Sequence, residues 1–207
     1  ALFNYISALD LGEEQSELGK YWPVNYHVVG KEILWFHAVI WPAILMALDL
    51  PLPQCIYAHS FWISEGRKMS KTLGNFIDLE EIEKYIDVYS MDAWRYYLVT
   101  QGPLGTTDAD FAAEKFHDVY NAHLVNTVGN CASRVTAMIE KYFDGVVPSD
   151  NGEIFAETDW KTICGDAVTC SLNAMDTFLL QEAVESAMSI VRQVDLFINT
   201  TVPFKLA

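Results

Sequence analysis

Nine consecutive residues, Arg67-Lys68-Met69-Ser70-Lys71-Thr72-Leu73-Gly74-Asn75, bring three cations, two hydroxyls and a glycine turn into one short stretch. They lie between an apolar run that reads as a buried strand and an acidic run that reads as a helix, so they form a loop suited to an anion. The remaining composition makes this local excess informative. The 207 residues carry 13 Lys and Arg against 28 Asp and Glu, a net charge of -15 at pH 7. That balance argues against a diffuse basic surface gripping nucleic acid non-specifically. From Phe61 to Leu73 the one acid is Glu65. A basic loop on an acidic protein fits one compact polyanion, such as a nucleoside triphosphate.

Two other groups have chemical potential. Gly30, Lys31 and Glu32 follow a short β-rich run, Val24 to Gly30, and precede an apolar segment from Ile33 to Asp49 long enough for a helix. In such a βα unit, ligands collect at the carboxyl end of the strand, where the backbone can approach them closely and helix N-terminal amides point outward. Farther on, Asn130 and Arg134 are four residues apart and share a helix face. They read either as a solvated polar face or as hydrogen-bonding arms for an unpaired base.

The elements that must carry these groups fall into an α/β part followed by an all-α part. Leu2, Ile6 and Leu9 have helical spacing, and a polar loop runs from Gly12 to Gly19. Pro42 lies inside the Ile33 to Asp49 helix, and Pro51 and Pro53 stop it. A second strand, Cys55 to Ile63, leads straight into the basic loop, so two strands flanking a helix predict a parallel, doubly wound arrangement. Asp78 with Glu81 resembles a capping box, and Ser90 caps a helix whose Trp94, Tyr97 and Leu98 face inward and Arg95 outward. Gly102, Pro103 and Gly105 mark a boundary, and from Asp110 onward no strand is expected. Leu124, Val128, Cys131, Val135, Met138 and Tyr142 form the apolar stripe of a long helix or a pair. After a turn at Gly145 to Gly152, segments 158–180 and 181–200 complete a bundle. The expected spans are 1–60, 61–109 and 110–207.

At 51% hydrophobic the chain can bury a core. Its longest apolar candidate for a membrane span is broken by His37, Pro42, Asp49 and Pro51. The start, Ala1-Leu2-Phe3-Asn4-Tyr5, has no basic region before an apolar one, so it is no signal peptide and reads as the interior of a longer chain. Cys55, Cys131, Cys164 and Cys170 contain no Cys-x-x-Cys pair, which predicts free thiols in a reducing compartment and no zinc site.

Taken together, the motifs resemble methionyl-tRNA synthetase, a class I aminoacyl-tRNA synthetase. Lys68-Met69-Ser70-Lys71-Thr72 is similar to the Lys-Met-Ser-Lys-Ser signature of the class, with Thr72 in the last place. His27-Val28-Val29-Gly30-Lys31-Glu32-Ile33, then Phe36-His37 and Trp41-Pro42-Ala43, resemble the run that selects the methionyl member. Gly129 to Arg134 resembles its anticodon-binding helix. The resemblance implies the second half of a Rossmann-type nucleotide-binding domain, a stem-contact region and an α-helical anticodon-binding bundle.

It further implies a methionine pocket from Ala1, Leu2, Tyr5, Phe36 and His37, an apolar, aromatic cavity of the kind a thioether needs. ATP, with Mg2+, would be held by Gly30, Glu32, Lys68, Met69, Ser70 and Lys71, where Glu32 replaces the family's Asp. Lys71, supported by Lys68, would stabilise the departing pyrophosphate. Asn130, Arg134 and Phe204 would read the anticodon of the methionine tRNA, Phe204 standing at a tryptophan position. The second class I signature, His-x-Gly-His, is absent; His27, His37, His59, His117 and His123 all lie outside such a motif. The expectation is therefore a C-terminal portion whose N-terminal half lies elsewhere, inactive in adenylate formation when alone. A cytoplasmic location is expected, with an organellar matrix left open, and no membrane partner. The alternatives are a non-catalytic anticodon-binding module or another class I specificity.

Overall fold

A computed structural model describes residues 1–9, 17–64, 66–149 and 158–205. Most of the polar stretch Gly12 to Gly19, and residues 150–152 of the Gly145 to Gly152 turn, lie outside the described residues. The described chain divides into two compact units: residues 1–62 with 103–109, and residues 63–102 with 110–207.

In the first unit, α1 (Asn4–Ala8) precedes β1 (Tyr26–Gly30). Burial alternates along β1, with His27 and Val29 inward, as one covered sheet face requires. The expected single helix after β1 is divided: a 3-10 turn at Lys31–Ile33, a π-helical stretch at Phe36–Ile40, then α2 (Trp41–Ala47). The Trp41 N–H reaches the Phe36 carbonyl, an i to i+5 bond, one residue before Pro42. Pro42 has no hydrogen to donate, and the wider turn absorbs the missing donor. Trp41 and Leu45 are fully buried and anchor the helix.

β2 (Cys55–His59) pairs parallel with β1, Tyr26 opposite Cys55 and Gly30 opposite His59. This is the expected βα unit, but the strand predicted over Cys55–Ile63 is broken. It stops at His59 and resumes as β3 (Trp62–Ser64) in a different sheet. The physical reason is competition for backbone donors. The Ser60 N–H goes to the Pro103 carbonyl and the Phe61 N–H to Asp108 Oδ1, so the returning segment 103–109 takes the bonds that would continue the ladder.

β3 turns back through Gly66 (φ +69°) into β4 (Arg67–Lys68), with Ile63 opposite Lys68. α3 (Leu79–Tyr89) and α4 (Met91–Gln101) follow, both capped as their sequences predict: Asp78 Oδ1 accepts from the Glu81 N–H at 3.0 Å, and Ser90 Oγ from the Ala93 N–H at 3.3 Å. β5 (Ala109–Phe111) adds to the sheet in the order β4-β3-β5, so strand structure persists to Phe111 rather than ending before Asp110. The rest is helical. α5 (Ala113–Val119) runs through a π-helical stretch, Tyr120–Gly129, into α6 (Asn130–Phe143). α7 (Trp160–Asp176) and α8 (Leu180–Thr201) pack against each other, and α8 also meets α4 and α6. The second unit is centred on Tyr97 and Phe116, both 1% exposed, ringed by Tyr85, Trp94 and Phe111.

Candidate functional site

The basic loop is a folded object. Met69 and Ser70 follow β4, Lys71–Leu73 makes a 3-10 turn, and Gly74 closes it in the left-handed region (φ +68°), which favours glycine. Arg67, Lys68 and Lys71 are exposed, and Lys71 Nζ lies 5.5 Å from the centroid of the Phe76 ring. The Asn75 side chain joins the loop's two ends: its Oδ1 accepts from the Ser70 N–H at 2.9 Å, and its Nδ2 donates to the Ser64 and Lys68 carbonyls at 3.3 and 3.4 Å. Beside the loop's return, a cavity of about 650 Å³ is lined by Asn75, Phe76, Glu81, Tyr85, Asp110 and Glu114, among others. Burial, with Asp110 and Tyr85 nearby, pushes the Tyr97 hydroxyl up to about 12 and keeps it protonated.

Within the first unit, Tyr5 and His37 meet, with Tyr5 Oη 2.9 Å from His37 Nε2. The proton positions follow from the partners. His37 Nδ1 faces the Ile33 carbonyl at 3.0 Å, an acceptor only, so Nδ1 carries the hydrogen. In the neutral ring Nε2 then accepts, and the Tyr5 hydroxyl donates to it. Ala1 and Leu2 form the turn that starts α1, their carbonyls accepting from the Asn4 and Tyr5 N–H groups. Phe36 is 49% exposed. Glu32 folds back toward the strand end: a Cβ on Gly30 would sit 2.6 Å from Glu32 Oε2. Lys31 is drawn off to Asp108 at 2.6 Å, an exposed ion pair that also holds the Asp108 carboxyl below the usual range.

Sequence reasoning missed His27 as a member of the aromatic group. It is 6% exposed, its Nε2 accepts from Trp41 Nε1 at 3.1 Å, and its ring centroid is 4.7 Å from that of Tyr5. Its inward place in the alternation of β1 was the available signal. Burial first, and His37 second, lower its pKa, so the folded chain holds His27 neutral where the unfolded chain begins to take up a proton. Stability is therefore complete above the ordinary histidine value of about 6.5 and falls as pH drops below it. We expect the urea midpoint of the chain to decrease from pH 7.5 to pH 5.5, and the decrease to be smaller in His27→Gln. An equal slope in the two proteins would remove His27 as its source.

In the second unit, Asn130 is exposed at the start of α6. Arg134 is engaged: Nη1 donates to Asp195 Oδ1 at 2.8 Å and to Asn199 Oδ1 at 3.0 Å, both on α8. Its Nε and Nη2 make no hydrogen bond among the described residues. α8 leads directly into Phe204, 44% exposed in the Pro203–Lys205 turn. Among the described residues no group of three His, Cys, Asp or Glu is placed to hold a metal ion, and no helix is long and apolar enough to cross a membrane.

A class of protein follows from the lysine loop on its hairpin, the βα unit and the helices beyond. The family model for class I tRNA synthetases (M) matches residues 1–136, and the chain belongs to that family. Curated relatives include the methionine–tRNA ligases of Caldanaerobacter subterraneus, 40% identical over 208 residues, and Bacillus subtilis, 39% identical over 210. Each alignment covers 100% of this chain but 32% and 31% of the relative, so the chain spans about a third of their length. Among solved structures, the Mycobacterium tuberculosis methionyl-tRNA synthetase in complex with methionyl-adenylate matches with a TM-score of 0.78 and 32% identity. It is matched over 99% of this chain and 40% of that one. The shared fold is that of a class I tRNA synthetase with small sheets and mostly helices.

Proposed function

We propose that this chain is the part of a methionine–tRNA ligase that clamps the ATP phosphates and reads the tRNA anticodon. Residues 1–60 belong in this reading to the Rossmann-type domain, 61–109 to the signature loop and stem-contact region, and 110–207 to the anticodon-binding bundle. The observation that carries it is the loop, with Lys68 and Lys71 both exposed on a backbone fixed by a hairpin and by Asn75. A binding module without catalysis has no use for such a phosphate clamp.

The chemistry needs no protein nucleophile. The methionine carboxylate attacks the α-phosphorus of ATP in line, the bond to the bridging oxygen breaks, and pyrophosphate leaves with its charge met by Lys71 and Lys68. Mg2+ accompanies the ATP. Tyr5 and His37 line the thioether side: since the Tyr5 hydroxyl donates to His37, neither polar hydrogen is directed at the sulfur. Gly30 and Glu32 lie at the strand end where the ribose would approach, and the methionyl group passes from the adenylate to the tRNA. His-x-Gly-His is supplied from outside these 207 residues, so the chain alone does not form adenylate, and the working enzyme is the full-length polypeptide. The cytoplasm is the compartment this reading favours.

The test is ATP–pyrophosphate exchange by the full-length polypeptide with a panel of amino acids. Exchange dependent on methionine, and not on leucine, isoleucine, valine or cysteine, supports the reading; dependence on one of the others replaces it with another class I specificity.

A further inference from the structure

The Asn75 side chain spans the base of the lysine loop. Ser64 lies on β3, Lys68 on β4 and Ser70 beyond them, and one amide group bonds the backbone of all three. The acceptor is used once at 2.9 Å and the amino group is shared between two carbonyls at 3.3 and 3.4 Å, so both ends of the amide are engaged. The β3–β4 ladder ends at the Ile63–Lys68 pair, and the turn beyond holds itself with local bonds, Leu73 N–H to Ser70 O and Gly74 N–H to Lys71 O. Past that pair, the Asn75 amide ties the start of the Met69–Gly74 stretch to the two strands. Gly74 in the left-handed region turns the chain so that the next side chain points back across the loop.

We propose that Asn75 is a positioning residue that pre-organises the loop, fixing the backbone on which Lys68 and Lys71 meet the ATP phosphates. This deepens the function proposed above and rests on it. Asn75 contacts no substrate; it acts by keeping two flexible cations on a fixed frame, so that charge stabilisation does not first require ordering the loop.

The test has two parts. The first uses the full-length polypeptide and limited trypsin, which cuts after Arg67, Lys68 and Lys71 when the loop opens. Losing a hydrogen bond worth about 1 kcal/mol raises the open population, and with it the cleavage rate, roughly fivefold in Asn75→Ala. Asn75→Asp keeps the acceptor for the Ser70 N–H but loses both donors, and its loop is cut at an intermediate rate. Cleavage after Lys115 on α5 is the internal control and stays unchanged. The second part measures exchange by the full-length polypeptide: Asn75→Ala lowers kcat about fivefold, with KM for methionine unchanged. Unchanged loop cleavage in Asn75→Ala overturns the clip, whatever exchange shows. Faster loop cleavage with unchanged kcat overturns its part in catalysis, and an Asn75→Asp chain as protected as the parent overturns the role of the two donor bonds. The wild-type enzyme's amino-acid dependence, read in the same series, fails separately if the proposed function is wrong.

Discussion

Replacing Lys71 with alanine in the full-length polypeptide is expected to lower methionine-dependent ATP–pyrophosphate exchange by on the order of 10²–10³-fold. The size follows from what the side chain does and does not do. Lys71 is exposed, and its contact in the structure is the face of Phe76, 5.5 Å from the centroid. A cation–π contact at an exposed site is worth only about 0.5–1 kcal/mol, so the substitution leaves the fold nearly as stable as before. In the proposed function the loss falls on the departing pyrophosphate, whose charge is greatest as the bond breaks. The fall is therefore expected in kcat, with KM for methionine changed little. A variant that loses methionine affinity instead would place Lys71 in the wrong site.

The second large effect is expected at Arg134. Arg134→Ala should raise the KM for the methionine tRNA in aminoacylation by about 5- to 150-fold, the range of about 1–3 kcal/mol that a bidentate contact to a base edge provides. Pyrophosphate exchange without tRNA should not change. The competing explanation is that Arg134 only ties α6 to α8, because Asp195 and Asn199 already occupy its Nη1. The magnitudes separate the two. Arg134 and Asp195 are each 38% exposed, and an ion pair so open to water contributes at most about 1 kcal/mol. Asp195→Asn, which weakens the tie but keeps the guanidinium, should therefore leave most of the tRNA affinity intact. An equal loss in both variants would make Arg134 a strut and not a reader.

Local chemistry was legible in the sequence wherever it is decided locally. The charge contrast picked out the loop, and Asp78 and Ser90 cap the helices they were read as capping, because a cap depends on residues two or three places away. The parallel βα unit followed from period and length. What was not legible depends on partners far along the chain. The strand from Cys55 breaks at Ser60 because Pro103 and Asp108 take its backbone donors, a competition that no apolar pattern records. Arg134 looked free because its partners lie on α8, some 60 residues on, although Asp195 and Asn199 stand four apart and so share a face. Asn75 closed the basic stretch with no role of its own in the sequence, and the fold of the hairpin shows its amide reaching Ser64. The π-helical turn before Pro42 was half legible: proline announces a lost donor, but not how the helix accommodates it.

The central claim is that phosphate chemistry and anticodon reading are carried by separate residues of this chain, Lys71 and Arg134. It is tested most directly by measuring single-turnover methionyl-adenylate formation and equilibrium binding of the methionine tRNA on the same preparations of both alanine variants, in the full-length polypeptide. The account predicts crossed losses: Lys71→Ala slow in adenylate formation with tRNA binding near wild type, and Arg134→Ala the reverse. Parallel losses of both activities in either variant would contradict it.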